Sequence, residues 1–87
     1  LVGTLRAAER LAPRSSLVLL WVGALANAAN RPREAAEALS RSEPEEWHRS
    51  RHPLGAKYFR ELAIALHMLG DFEKELAVAR RARGIYP

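Results

Sequence analysis

The spacing of apolar residues in the last third of the chain limits the fold more than any other feature. Between positions 56 and 69 they recur at the three- or four-residue period of one helix face: Phe59, Leu62, Ala63, Leu66 and Leu69. Gly70 can end that helix in the left-handed conformation, and Asp71 can cap the next helix. This second helix, over 72–84, is predicted to bury Phe72, Leu76, Ala79 and Ala82. Because the turn is so short, the two helices must pack antiparallel.

The middle of the chain has the same plan. A helix is predicted over 16–29, with Asn30 as its left-handed stop. Pro32 then lies in the first turn of another helix, over 32–42, where its missing N–H has no cost. The apolar positions of this helix predict four buried residues, Ala35, Ala36, Ala38 and Leu39, and three exposed ones, Arg33, Glu37 and Arg41.

The segment 17–29 is apolar on nearly every side, which is typical of a helix covered from several directions. Its 13 residues are fewer than the roughly 20 that a membrane-spanning helix needs. We therefore predict that it is the central helix of a helical stack, with Trp21 in the core, and we expect a soluble, cytoplasmic protein.

The residues before this segment predict one further helix, over 1–11, followed by Pro13. Because the chain does not begin with Met, we expect it to be part of a longer protein. Ala, Leu, Arg and Glu dominate and all favour helices. The predicted fold is all-α, with five main helices and a short helical turn near Glu45.

The pattern resembles the tetratricopeptide repeat (TPR) family, whose unit is a pair of antiparallel helices of about 34 residues. The matching positions in the last unit are Ala63, Gly70-Asp71-Phe72, Ala82 and Pro87. Those in the middle unit are Gly23, Ala35 and Leu39, and those at the front are Ala8 and Pro13. The resemblance implies an α–α superhelix in one domain. It would consist of a second helix over 1–13, a repeat over 16–42 with an inserted segment 43–55, and a repeat over 56–87.

Two features depart from the family pattern. Pro13 and Pro87 are separated by six residues more than two periods, and this surplus falls in the inserted segment. There Ser42 and Glu45 read as a capping box that opens an extra helical turn, and we predict that Trp47 folds back over a helix end. The other departure is Glu75, where the family prefers a small residue, so its carboxylate must reach solvent or an Arg.

The sequence offers little to support catalysis or metal binding. It contains no cysteine, no glycine-rich phosphate loop and no evident pair of nucleophile and base. His48 and His52 have the four-residue spacing of helical metal ligands, but a third ligand is not obvious, and we expect solvated loop histidines. We predict that the chain is not an enzyme and holds neither metal nor cofactor.

The charge of the chain argues against a nucleic-acid partner. The net charge is only +4, and the basic clusters, 49–52 and 80–83, accompany no recognition motif. Arg side chains near a helix C-terminus also have an electrostatic reason to be there. We expect neither a nucleic acid nor a membrane as the partner.

The first helices of the pairs would line the inner, concave surface of such a stack. The residues predicted to bind a protein or peptide there are Leu20, Ala24, Asn27, Lys57, Arg60, Ile64 and His67. Lys57 and Arg60 would suit an acidic segment through charge-assisted hydrogen bonds. The alternative function is a structural spacer or self-association element of a larger multidomain regulator, with weak self-association of the isolated chain.

Overall fold

A computed structural model describes residues 16–42 and 45–87, and in these ranges the protein is all-α without a strand. The helices are α1 (Ser16–Ala28), α2 (Pro32–Ser40), α3 (Glu45–Arg49), α4 (Pro53–Met68) and α5 (Phe72–Ile85). The all-α prediction is confirmed. The helix predicted over 1–11, with Pro13, lies outside the described residues.

Both predicted left-handed stops are confirmed. Asn30 has φ 59° and Gly70 has φ 75°. These backbone conformations reverse the chain within two or three residues, so α1 and α2 form one hairpin and α4 and α5 form another. Pro32 is the first residue of α2, as predicted. Asp71 caps α5, because its Oδ1 accepts a hydrogen bond from the Lys74 amide at 3.4 Å.

The first hairpin buries one set of its apolar residues almost completely. On α1 these are Leu19, Leu20, Val22 and Ala26, and on α2 they are Ala35, Ala38 and Leu39. Ala36 is only half-buried, and the three polar residues predicted to be exposed are exposed. Gly23 allows the two helices to approach closely, because Leu39 occupies the space where a Cβ would lie.

Helix α4 packs against α1, α2 and α5 and therefore joins the two hairpins. Its Tyr58 and Phe59 are buried together with Leu20 and Leu39 of the first hairpin. The Tyr58 hydroxyl shares its proton between the carbonyls of Leu39, at 3.0 Å, and Ser42, at 3.1 Å. These carbonyls lie at the end of α2, where the Leu39 carbonyl also accepts the Ser42 amide at 3.2 Å and the Tyr58 hydroxyl adds a donor from another helix. Tyr58 thus anchors α4 to the C-terminus of α2.

The inserted segment differs from the prediction in its boundaries. Helix α4 begins at Pro53 rather than near residue 56, and His52 is its N-cap, with Nδ1 accepting from the Leu54 amide at 3.1 Å. Ser42 does not form the predicted capping box. Helix α3 begins at Glu45, while the Ser42 hydroxyl is buried and donates to Ser16 Oγ at 3.0 Å.

The side chains of α3 cover the core. Trp47 is half-buried and packs against the central cluster, which confirms that it folds back over apolar surface. The prediction of a solvated His48 is wrong: the residue is 8% exposed and its ring stacks on Phe59 at 4.6 Å. Its ring also faces those of Tyr58 and Tyr86, with centroids 5.8 and 6.3 Å away, so packing among aromatic rings accounts for its burial.

The predicted inner face of α5 is also wrong in part. Phe72 is 62% exposed, Leu76 is 51% exposed and Ala79 is exposed. The residues of α5 that pack against the core are instead Val78, Ala82 and Ile85. Apolar spacing identifies a helix face, but only a neighbouring helix can bury it, and α5 contacts α4 on one side with no described helix on the other.

Candidate protein-binding surface

The structure divides the seven predicted binding residues among three environments. Leu20 has no exposed surface and belongs to the core, so it does not line a binding surface. Ala24, Asn27 and Lys57 are partly exposed, the last two where α1 meets α4. Arg60, Ile64 and His67 are exposed along α4 and border a groove between α4 and α5. The residues therefore do not form one continuous site.

The α1–α4 seam, defined here by Trp21, Asn27, Lys57 and Glu61, is held by polar contacts. The Asn27 side-chain amide donates to the Glu61 carbonyl oxygen at 2.9 Å and to Glu61 Oε1 at 3.1 Å. Lys57 Nζ lies 3.9 Å from Glu61 Oε2. Both side chains therefore face Glu61, Asn27 through short hydrogen bonds and Lys57 through a longer, partly exposed contact. Asn27 fixes α4 against α1.

Trp21 is the feature of the seam that the sequence reasoning missed. It was predicted to lie in the core, but 45% of its surface is exposed. Lys57 Nζ lies 6.0 Å from the centre of its ring, in the range of a cation–π contact. Leu17, one helical turn earlier, is similarly exposed. A helix that is apolar on every side gives no sign of which side its neighbours will leave open.

The second feature is the α4–α5 groove, defined here by Arg60, Ala63, His67, Glu75, Ala79 and Ala82. It consists of two adjoining hollows of about 310 and 290 Å³ that share Arg60 and Ala63. The groove is open to solvent, and four of the residues that line its two hollows are alanines with short side chains. Alanine walls let the backbone of an incoming segment approach closely.

Charges lie at both edges of this groove. His67 Nδ1 and Glu75 Oε1 lie 3.1 Å apart, and the His67 ring also contacts Phe72, with 5.7 Å between ring centroids. The carboxylate of Glu75, which was expected to reach solvent or an Arg, therefore pairs with His67. The exposed guanidinium of Arg60 has no carboxylate within 4.0 Å among residues 16–42 and 45–87.

The inserted segment is held in place by Tyr86, the residue that follows α5. The Tyr86 hydroxyl contacts the carbonyls of Trp47, at 3.1 Å, and His52, at 2.9 Å, and donates to them. Desolvation by burial raises the pKa of Tyr86. The same hydroxyl fills the space beside Gly55, where a Cβ would collide with it. These contacts hold the segment around His48 against Tyr86, so this segment supports the fold.

The described residues contain no group of three or more His, Cys, Asp or Glu side chains arranged to hold a metal ion. None of the helices α1 to α5 combines the length and apolar character needed to cross a bilayer.

In the basic cluster over 80–83, the Arg81 guanidinium lies over the Phe59 ring at 5.6 Å, so this side chain packs on a residue of the core.

Comparison with protein-family models, with curated proteins and with solved structures found no match to this chain. The resemblance to the TPR family therefore stays a prediction. It depends on the quoted residues and on the geometry of the two hairpins.

Proposed function

We propose that this chain is a TPR-like protein-binding module that holds a peptide or protein segment against the α1–α4 seam. The exposed indole of Trp21, beside Lys57, is the observation that carries the proposal. Exposed tryptophans are enriched among residues that dominate binding energy at interfaces. The indole also lies on a helix fixed by two neighbours, so little ordering is needed when a partner binds.

The chemistry of the seam indicates the kind of segment it would take. Trp21 and Leu17 offer apolar surface, and Lys57 adds a cation at its edge. A suitable ligand places an apolar side chain on the indole and a carboxylate near Lys57. The contact between Lys57 and Glu61 is long, at 3.9 Å, and partly exposed, so a ligand carboxylate can compete with it.

A random peptide library selected on the whole chain tests this proposal. We expect enriched peptides to combine an apolar residue with nearby acidic residues and to shift the Trp21 indole and Lys57 amide resonances. Trp21→Ser should weaken their binding about 30-fold, the effect of losing a contact of about 2 kcal/mol. Phe72→Ser is the matched control, because it removes an aromatic of similar exposure from α5, and it should leave the affinity unchanged.

The second candidate function is a structural spacer or self-association element. The exposed Phe72 and Leu76 on α5 favour it, because exposed apolar side chains that lie together promote association. Sedimentation at increasing protein concentration distinguishes the two functions. If the library yields no specific peptide and the chain associates through a contact that Phe72→Ser abolishes, the spacer function replaces peptide binding.

A further inference from the structure

The two hairpins correspond to each other at an offset of 40 residues. Helices α1 and α4 both end two residues before a left-handed residue, Asn30 in one hairpin and Gly70 in the other. The residue after each stop bonds back five positions: Arg31 N to the Ala26 carbonyl at 2.8 Å, and Asp71 N to the Leu66 carbonyl at 2.9 Å. Positions in the first hairpin can therefore be compared with those 40 residues later.

The groove of the first hairpin is filled by a helix. Leu20, Ala35 and Leu39 have no exposed surface, and α4 packs against both α1 and α2 there. Asn27 holds the seated helix by donating to the backbone and side chain of Glu61. The molecule thus shows what occupies such a groove: an amphipathic helix of 16 residues, fixed by one polar residue on the groove wall.

The equivalent positions in the second hairpin line the open α4–α5 groove. Forty residues after Leu20, Ala35 and Leu39 stand Arg60, Glu75 and Ala79, in the same order. Arg60 and Ala79 are exposed and Glu75 is half-buried. Two hollows of about 310 and 290 Å³ are present here, where the first hairpin has a packed helix. The residues that would contact a helix are therefore in place, but no described helix lies in the groove.

We infer that the α4–α5 groove binds an amphipathic helix of a partner protein that carries acidic residues beside its apolar stripe. The acidic requirement comes from Arg60, which replaces the buried Leu20 and has no carboxylate within 4.0 Å in the described ranges. A second copy of the chain fits less well, because its net charge is also +4. By comparison with α4, the bound helix spans about four turns, or roughly 24 Å.

Two synthetic 16-residue peptides, acetylated and amidated, test this inference on the whole chain. Both carry a stripe of leucines at the helical spacing of the buried residues of α4. Four positions that flank this stripe are glutamates in one peptide and lysines in the other, and all remaining positions are alanines. We expect the glutamate peptide to bind about tenfold or more tightly than the lysine peptide, as charged interface pairs allow. Amide shifts should appear at Ala63, Ala79 and Ala82.

Substitutions in the groove and matched controls outside it locate the binding. Ala79→Trp should abolish binding by filling the groove, whereas Ala77→Trp, at another exposed alanine of α5, should not. Arg60→Glu should reverse the preference so that the lysine peptide binds more tightly. The same charge reversal at the exposed Arg80 should leave the preference unchanged. All four positions are exposed or at the groove edge, so folding should be preserved, and circular dichroism checks it.

The inference is overturned if both peptides bind equally, or if Ala79→Trp leaves binding intact. It is also overturned if the groove resonances respond to protein concentration and not to peptide, since the occupant would then be a second copy. Shifts confined to Trp21 and Lys57 would support the proposed function and reject this groove. The two proposals can therefore fail independently.

Discussion

Replacing Gly23 and Gly84 by alanine, one at a time, makes the same chemical change with different expected effects on stability. Both glycines lie inside helices, and neither has positive φ. A Cβ at Gly84 would meet no heavy atom within 4 Å. At Gly23 it would lie 2.5 Å from Leu39 Cγ and 2.7 Å from Leu39 Cδ2. Leu39 is fully buried, so it cannot turn into solvent to make room.

The magnitude follows from two opposing effects. Alanine is favoured over glycine in a helix interior by about 1 kcal/mol, a gain that applies in full at Gly23 and is smaller at Gly84, in the last turn of α5. Inserting a methyl group into a packed core costs about 1–3 kcal/mol, and this cost is present only at Gly23. Gly84→Ala should therefore be more stable than Gly23→Ala by about 1–2 kcal/mol. For a domain of this size, each kcal/mol separates the melting temperatures by roughly 4–8 °C.

Thermal and urea unfolding followed by circular dichroism measure the difference. The double variant Gly23→Ala with Leu39→Ala should show favourable coupling, because the truncated side chain leaves room for the new methyl group. If Gly23→Ala stabilised the protein as much as Gly84→Ala does, the close approach of α1 and α2 described here would be incorrect.

Other consequences of the structure can be measured in the same way. Tyr58→Phe should lower the free energy of unfolding by about 1–2 kcal/mol, because the carbonyls of Leu39 and Ser42 lose their buried side-chain donor; an unchanged urea midpoint would contradict this. Because burial raises the pKa of Tyr86, its contribution to stability should be complete below pH 10 and be lost as the pH rises through the folded-state pKa. Tyr86→Phe should remove that part of the alkaline loss, which a pH series of melting curves would detect. Asp71→Ala should cost about 1 kcal/mol by removing the cap of α5, and Asp71→Asn should cost less, since asparagine also caps helices.

Residues that act on their own backbone, or on the backbone of near neighbours, were predictable from the sequence. Asn30 and Gly70 end helices because they adopt positive φ at low cost, and Pro32 begins one because its φ is already helical. Asp71 caps α5 by accepting a hydrogen bond from the amide of Lys74, three residues later in the chain. Such effects need no information about distant parts of the chain, which is why the all-α prediction and both hairpin turns are confirmed.

The inserted segment shows where local reasoning fails. Ser42 has the spacing of a capping box, yet its hydroxyl meets Ser16, 26 residues earlier in the chain. His48 was expected in solvent, yet it stacks on Phe59 of another helix. In both cases the observed partner lies outside the inserted segment. Nothing in the spacing of the segment itself could have indicated these partners.

The candidate site was predicted only in part, for the same reason. Asn27, Lys57, Arg60 and His67 were correctly placed on or beside exposed helix faces, but Leu20 is buried and Trp21, assigned to the core, is exposed. Apolar spacing shows that α1 has faces to bury. It does not show which faces α2 and α4 will cover.

The amino-acid sequence by itself determined that the described chain is helical and where its two hairpins reverse, because caps, stops and helical periodicity act over a few neighbouring residues. Only the tertiary structure decided which apolar faces are covered. It left Trp21 and the α4–α5 groove open, because burial depends on helices that approach from far along the chain. The binding surfaces proposed here are what remains uncovered after that packing.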